Sequence, residues 1–382
     1  MIFELDEELK LLRETTARMA DEVFGPLAAR WDRNAEPPLP NLKVLAQSGL
    51  AGILIPEEYG GSGATLMHAV VVVEEISRVC ASTAGLVLGN AVTSEMLTKF
   101  GTPEHCRQWL PPLASGDILS AWAMTESEAG SAANEMQTRA VKDGSDYILN
   151  GRKIFITRGA VADIFILFAR VGDIPGGKGI AAFLVEKGRP GFAVGQLDHH
   201  MGLRGGASCE LIVENCRVPE SNLLVPPGSF GRLMRGLNVA RILNPTLCLG
   251  IAQEALNLAV KYSQERRQFG KEISSFQGIQ WMLADMAVKV DAMRLLIYRA
   301  ASSVMQNSPE APRHAAIAKT YTNEAAFEVT NAALQIHGGY GYSQDFPLER
   351  MLRDVRAFQI AGGTTQILRN TIAAQLLNRR VE

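Results

Sequence analysis

Four stretches of the 382-residue chain bring together residue types that could handle a bound group. In the first, 355–369, the apolar approach Val355-Arg356-Ala357-Phe358-Gln359-Ile360 runs into Ala361-Gly362-Gly363-Thr364-Thr365-Gln366. Two glycines can take positive φ and the threonine hydroxyls can cap, while Ile367, Leu368, Ile372 and Leu376 supply the apolar stripe of a helix that follows. A bare turn opening a helix presents unpaired N–H groups and admits a phosphate or a flat ring where a side chain would collide. The same residues also read as an ordinary inter-helix loop, because glycine pairs mostly punctuate.

The second stretch, Trp122-Ala123-Met124-Thr125-Glu126-Ser127-Glu128-Ala129-Gly130-Ser131, leaves a strand-like run for a Gly/Ser turn, and Lys153-Ile154-Phe155-Ile156-Thr157 follows it. Two strands ending in threonine could offer hydroxyls and amides to the edge of a ring while Phe155 covers its face. Threonine is equally a common strand residue. The third, Tyr262-Ser263-Gln264-Glu265-Arg266-Arg267-Gln268-Phe269-Gly270-Lys271 with Ser275-Phe276-Gln277, closes a long helix. Its arginines complement the helix dipole, and one planar guanidinium could also clamp a pyrophosphate. In the fourth, Leu334-Gln335-Ile336-His337-Gly338-Gly339-Tyr340-Gly341-Tyr342, glycines stop a helix, and His337 reads as a cap without a catalytic role.

The elements that must hold these stretches fall into three units. Residues 1–118 alternate helical patterns with breaks at Glu36-Pro37-Pro38-Leu39-Pro40 and at Ile55-Pro56-Glu57-Glu58-Tyr59-Gly60-Gly61. The apolar run from Met67 to Leu88 contains Glu74, Glu75, Ser77 and Arg78, which predicts a buried helix pair and not a membrane span. Over 119–227, short apolar runs at 118–124, 147–149, 153–157, 164–169, 180–185, 193–196 and 210–213 alternate with turns such as Asn150-Gly151 and Pro190-Gly191, the pattern of an antiparallel barrel or sandwich. After Pro226-Pro227-Gly228 the helical period returns and persists through 228–382.

A hydrophobic content of 47% supports large cores, and 38 Lys+Arg against 40 Asp+Glu, net −2, leave no basic field for nucleic acid or an anionic membrane. Cys80, Cys106, Cys209, Cys216 and Cys248 are scattered without Cys-x-x-Cys spacing, which argues against disulfides and zinc and fits a reducing cytoplasm. The N-terminus is charged throughout with helical periodicity at Leu5, Leu9, Leu12, Met19 and Val23, unlike a signal peptide. Neither a Gly-x-Gly-x-x-Gly after a strand nor a P-loop occurs, which disfavours a nicotinamide site of Rossmann type.

In this order the stretches resemble the acyl-CoA dehydrogenase family along essentially the whole chain. The matching pieces include Ile55-Pro56-Glu57-Glu58-Tyr59-Gly60-Gly61, Met124-Thr125-Glu126, Ala129-Gly130-Ser131, Leu149-Asn150-Gly151-Arg152-Lys153, Met201-Gly202-Leu203-Arg204, Arg217-Val218-Pro219, Arg267-Gln268-Phe269-Gly270-Lys271, Gln335-Ile336-His337-Gly338-Gly339 and Arg350 with Arg353-Asp354. The resemblance implies an α+β fold: a helical N-terminal domain, a β-barrel middle domain and a C-terminal four-helix bundle. It also implies FAD, an acyl-CoA substrate, an electron-transferring flavoprotein as partner of a true dehydrogenase, and a homotetramer. Carried over by position, Thr125 and Thr157 address the flavin ring and Phe155 packs on it. Arg266, Gln268, Gln277, Gln335 and Gly339 reach the pyrophosphate and adenosine, partly from a neighbouring subunit, and Thr364 with Gln366 completes the site. Ser131 and Arg241 take the positions that hold the thioester arm.

The departures concern the proton acceptor. Where the family usually has Tyr-Glu-Gly-Thr, with the glutamate taking the α-proton, this chain has Ala361-Gly362-Gly363-Thr364, and the minority seat before Arg241 is Ala240. A positioned base contributes about 10²–10⁴-fold, so ordinary α,β-dehydrogenation is expected to be impaired unless Glu126, Glu128 or Tyr340 substitutes. The Ala-Gly-Gly-Thr hinge also resembles a branch containing sulfinopropionyl-CoA desulfinases, redox-neutral enzymes in which an α-proton base is dispensable. Those place an arginine on a helix lining the acyl pocket, where this chain has Ala84-Gly85-Leu86-Val87.

Overall fold

Residues 4–236 and 238–378 are described by a computed structural model of the chain, so the outermost residues of the first and last predicted units, 1–3 and 379–382, lie outside the description. The first unit is helical: α1 (Glu7–Met19), α2 (Gly25–Asn34), α3 (Leu39–Gln47), α4 (Leu66–Val79), α5 (Ala81–Phe100) and α6 (Pro103–Ala114). Asp6 caps α1 by accepting the Leu9 N–H at 2.9 Å, and Thr102 with His105 forms a reciprocal capping box on α6. The apolar run from Met67 breaks into α4 and α5 at Cys80, whose extended backbone (φ −147°, ψ 95°) ends the first helix and starts the second. The predicted buried pair is therefore present.

The second unit is a sheet of eight strands: β1 (Ser120–Ala123), β2 (Arg139–Asp143), β3 (Asp146–Ile156), β4 (Ile164–Val171), β5 (Ile180–Glu186), β6 (Phe192–Leu197), β7 (Cys209–Pro219) and β8 (Leu223–Val225). Its order is β6-β7-β3-β2-β4-β5-β8, with β1 joining β4. The sheet departs from the antiparallel pattern of the sequence in two places, since both β1 and β2 run parallel to β4. The runs at 147–149 and 153–157 belong to one strand, with a register shift near Gly151 and a second between Lys153 and Ile156. β2 has no counterpart among the predicted runs, because Ala140 is its one buried residue and no apolar alternation marks it.

The third unit contains α7 (Phe230–Gly236), α8 (Asn238–Glu265), a short hairpin of β9 (Arg267–Gln268) and β10 (Lys271–Glu272), α9 (Gln277–Met305), α10 (Ala311–His337), α11 (Leu348–Phe358) and α12 (Thr365–Leu376). A single apolar core joins α8, α9 and α10 to α4 and α5 through Leu243, Leu247, Ile251, Met293, Ile297, Val329 and Ile76. Two family-like motifs lock the three units together. Arg353 of α11 donates to Asp32 of α2 (2.9 Å) and to the Met201 carbonyl (2.8 Å), and the neighbouring Asp354 accepts the Leu203 N–H at 2.6 Å. Gly202 must lack a side chain there, because a Cβ would lie 2.4 Å from the Arg353 carbonyl.

Inside the sheet unit, Glu126 accepts Lys153 Nζ at 2.7 Å and the N–H groups of Gln137 and Thr138 at 2.5 and 3.0 Å. Burial opposes charge on Glu126, yet Lys153 and the two amides outweigh it and hold the carboxyl below its usual range. Glu126 is thereby committed to structure and cannot serve as the substitute base. Lys153→Ala is expected to cost about 3–5 kcal/mol, because it strands a buried carboxylate. The urea midpoint measures this, and an unchanged midpoint would show that the pair is not the clamp described.

Candidate functional site

The predicted glycine hinge is present. Gly362 (φ 68°) and Gly363 (φ 90°) both take left-handed backbone, and Thr364 caps α12 by accepting the Ile367 N–H at 3.2 Å. What holds the hinge was not anticipated. Lys319 of α10, fully buried, donates from Nζ to the carbonyls of Ala361 (2.9 Å), Gly363 (2.8 Å) and Phe358 (3.3 Å). Asn323, one turn on, donates to Phe358 O at 2.6 Å and to Asn244 Oδ1 of α8 at 3.0 Å. Burial pulls the Lys319 ammonium down to about 8, with the Arg241 charge acting in the same direction. A Cβ at Gly362 would lie 3.6 Å from Asn244 Nδ2 and 3.7 Å from Lys319 Cε, at ordinary contact distance. The seat therefore has room for a side chain, and its nearest charge is a cation.

Thr125, Phe155 and Thr157 come from neighbouring strand ends, joined where the Ile154 N–H donates to Thr125 O at 3.0 Å. The register shift at the end of β3 turns Ile156 inward (2% exposed) while Thr157 faces out and Phe155 is 57% exposed. Phe155 adopts φ 57°, a strained conformation for a bulky residue, and its ring lies 5.8 Å from that of His200. A large apolar face held out on unfavourable backbone beside a free hydroxyl fits one side of a flat ring. Such strain at a surface position is otherwise unexplained.

Arg266, Tyr262, His337 and Tyr340 meet at one end of the bundle. Arg266 lies 5.7 Å from the Tyr340 ring centroid, and Tyr262 stacks on His337 at 4.2 Å. His337 donates from Nδ1 to Ala333 O (2.9 Å), and burial lowers its pKa, so it is the structural group expected. Gln335 and Gly339 are exposed on this end, Gln268 and Gln277 on the adjoining hairpin and the start of α9, and Gln366 on α12. Among the described residues, no hydrogen bond, ion pair or ring contact joins this set to Thr125, Phe155 or Thr157 within one chain. Tyr340 stands with Arg266 and not at the hinge.

Ser131 and Glu128 are exposed in the turn after β1. Arg241, at the start of α8, is largely desolvated, which lowers its pKa against the pull of Glu95 on α5. Ala240 packs on the central core. Glu95 is itself raised by burial and tied to Lys99 at 2.6 Å and to the Asn238 and Val239 N–H groups. The sequence signal for Lys319 is a lone lysine in the buried stripe Ala315, Ala318, Thr322, Ala325 and Ala326.

The models of the acyl-CoA dehydrogenase N-terminal, middle and C-terminal domains match residues 6–117, 121–216 and 230–377. The chain is 41% identical to an NADH-dependent acryloyl-CoA reductase of Anaerotignum propionicum over 99% of its own length and 97% of the relative's. It superposes on butyryl-CoA dehydrogenase from Megasphaera elsdenii with a TM-score of 0.94 at 35% identity, covering 99% of this chain and 100% of the other. A chain from a structural study of the electron transferring flavoprotein of Acidaminococcus fermentans matches with a TM-score of 0.94 at 40% identity, covering 99% and 100%. These relatives favour a dehydrogenase-type oxidoreductase over a redox-neutral desulfinase. The chain belongs to the acyl-CoA dehydrogenase family.

Proposed function

We propose that the chain binds FAD and acts on a short or medium acyl-CoA thioester by α,β-dehydrogenation, with an electron-transferring flavoprotein as redox partner, in the cytoplasm. Bound FAD supplies a hydride acceptor for the acyl β-carbon. The observation that carries this reading is the solvent-facing Phe155 on left-handed backbone beside Thr157, within a chain of this family. Thr125 and Thr157 hold the ring edge and Phe155 its face. Arg266, Gln268, Gln277, Gln335 and Gly339 bind the pyrophosphate and adenosine, and Thr364 and Gln366 close the site at the hinge. Ser131 and Arg241 position the thioester arm.

A homotetramer, with part of each cofactor site coming from a neighbouring copy, accounts for the separation of these two groups of residues within one chain. It also accounts for the exposed apolar side chains around the arginine set, Phe269 (93% exposed), Trp281 (60%) and Tyr342 (83%), which a second copy would cover. Arg266→Ala is expected to weaken FAD retention about ten- to hundredfold, the scale of a charge-assisted hydrogen bond, without lowering the melting temperature of flavin-free protein. Equal retention by the variant would remove Arg266 from the cofactor site.

At the reacting end, the hinge carries no carboxylate at Gly362 and α8 carries none at Ala240. Glu126 is clamped by Lys153, Tyr340 sits with Arg266 and Glu128 is exposed in the turn after β1, which leaves the α-proton without a positioned acceptor among these groups. Flavin bleaching by saturated acyl-CoA is therefore expected to be slow. Gly362→Glu should speed it by about 10²-fold. The new carboxylate would face Lys319, which holds it ionised at neutral pH, while its left-handed backbone costs about 1–2 kcal/mol. Ala240→Glu is the companion variant. Stopped-flow absorbance decides the matter: fast bleaching in wild type, with neither variant faster, would mean that another residue is the base.

A further inference from the structure

Phe155 is followed closely by a second left-handed residue, Arg158 (φ 64°), whose side chain leaves the sheet unit for α5. Its main-chain N–H is taken by Gly206 O at 2.7 Å, and the residue is only 9% exposed. Nη1 donates to the Gly85 carbonyl at 3.3 Å. The guanidinium rests directly on Gly89, where a Cβ would come within 1.3, 1.8 and 1.9 Å of Nη1, Cζ and Nη2. Nε is sealed from solvent and donates to nothing. Among the described residues no carboxylate pairs with the group, and burial alone pushes its pKa down to about 10. A guanidinium taken out of water against one neutral carbonyl is costly unless an anion completes it.

There is space beside it. One turn before Gly89, a Cβ on Gly85 would meet nothing within 4 Å. Ser82, Gly85 and Leu88 are the partly exposed members of an otherwise buried stretch, spaced as one face of α5. Two turns after Leu88 on α5 is Glu95, whose charge acts on Arg241 of α8, and the Arg241 charge acts in turn on Lys319 beneath the hinge. Asn244, one turn after Arg241, is the side chain nearest a Cβ at Gly362. Arg158 directly follows Thr157, so its guanidinium lies between the strand end that carries the ring-facing threonine and α5. The cation that the sequence lacks at 84–87 is delivered to the same helix from the end of β3.

We propose that Arg158 is an anion subsite for the far end of the acyl chain, and that the preferred substrate is the coenzyme A monothioester of a short dicarboxylic acid. The free carboxylate accepts from Nη2 of Arg158, the guanidinium nitrogen that neither donates within the protein nor is sealed from solvent. The inference rests on the acyl-CoA reading above and adds the chemistry of the acyl group. Gly85 and Gly89 are the residues that make room, one for the ligand and one for the guanidinium.

Calorimetric titration of the protein as purified with butyryl-CoA, succinyl-CoA and glutaryl-CoA tests this. At least one carboxylated thioester should bind about ten- to hundredfold more tightly than butyryl-CoA, as expected for a charge-assisted pair. Arg158→Met should abolish the preference without lowering the melting temperature, because an unpaired buried cation is exchanged for an apolar side chain of similar reach. Gly89→Ala keeps the charge but displaces the guanidinium, and should abolish the preference as well. Equal affinities in wild type, or a preference that survives in both variants, would overturn the subsite. Failure of wild type to bind any of the three thioesters would overturn the acyl-CoA reading itself, and this inference with it.

Discussion

Lys319 is an ammonium group buried beneath the turn between α11 and α12, and three main-chain carbonyls of that turn are its hydrogen-bond partners. The arrangement constrains both sides. The carbonyls of Phe358, Ala361 and Gly363 must converge on one point, which the left-handed Gly362 and Gly363 allow. The lysine must give up hydration, which lowers its pKa to about 8. Asn323 extends the anchor to Asn244, so the hinge is referenced to α8 and α10 together. A ligand at the hinge meets backbone fixed from below, and preorganisation of this kind reduces the cost of ordering on binding.

Charge around this anchor is one-sided. Among the described residues, no carboxylate is ion-paired to Arg158 just after β3, to Arg241 of α8 or to Lys319 of α10. The nearby acids have other work: Glu126 holds Lys153, Glu95 holds Lys99 and the start of α8, and Asp354 accepts the Leu203 N–H. A low-dielectric site lined by cations stabilises anionic substrate and developing negative charge on a thioester, but it does not remove a proton. On the proposed reading, the site favours binding and polarisation over proton abstraction.

How much of this could be read from the chain depends on the range of the interaction. Gly362-Gly363-Thr364 was legible because positive φ and helix capping are local demands that few residue types meet. The helix pair at α4 and α5 was legible from charges within an apolar run. Lys319 was missed although it is a lone lysine in an alanine-rich stripe, because which face of α10 is covered depends on α11 and the turn after it. Glu126 looked available as a base, and its capture depends on β3 bringing Lys153 beneath it. Arg158 was missed for the same reason: it is buried only because Gly85 and Gly89, on another helix, leave it a place. β2 went unseen because its pairing with β3 and β4 leaves most of its side chains exposed.

The central property of the hinge is that it carries no working base. Proton–deuterium exchange at the α-carbon of a bound saturated acyl-CoA, followed by NMR in D₂O with flavin-loaded protein and no electron acceptor, reads that property without requiring hydride transfer. The structure predicts exchange in wild type no faster than in enzyme-free solution. Rapid loss of the α-proton signal would contradict it and would mean that a proton acceptor outside Gly362 and Ala240 reaches the thioester.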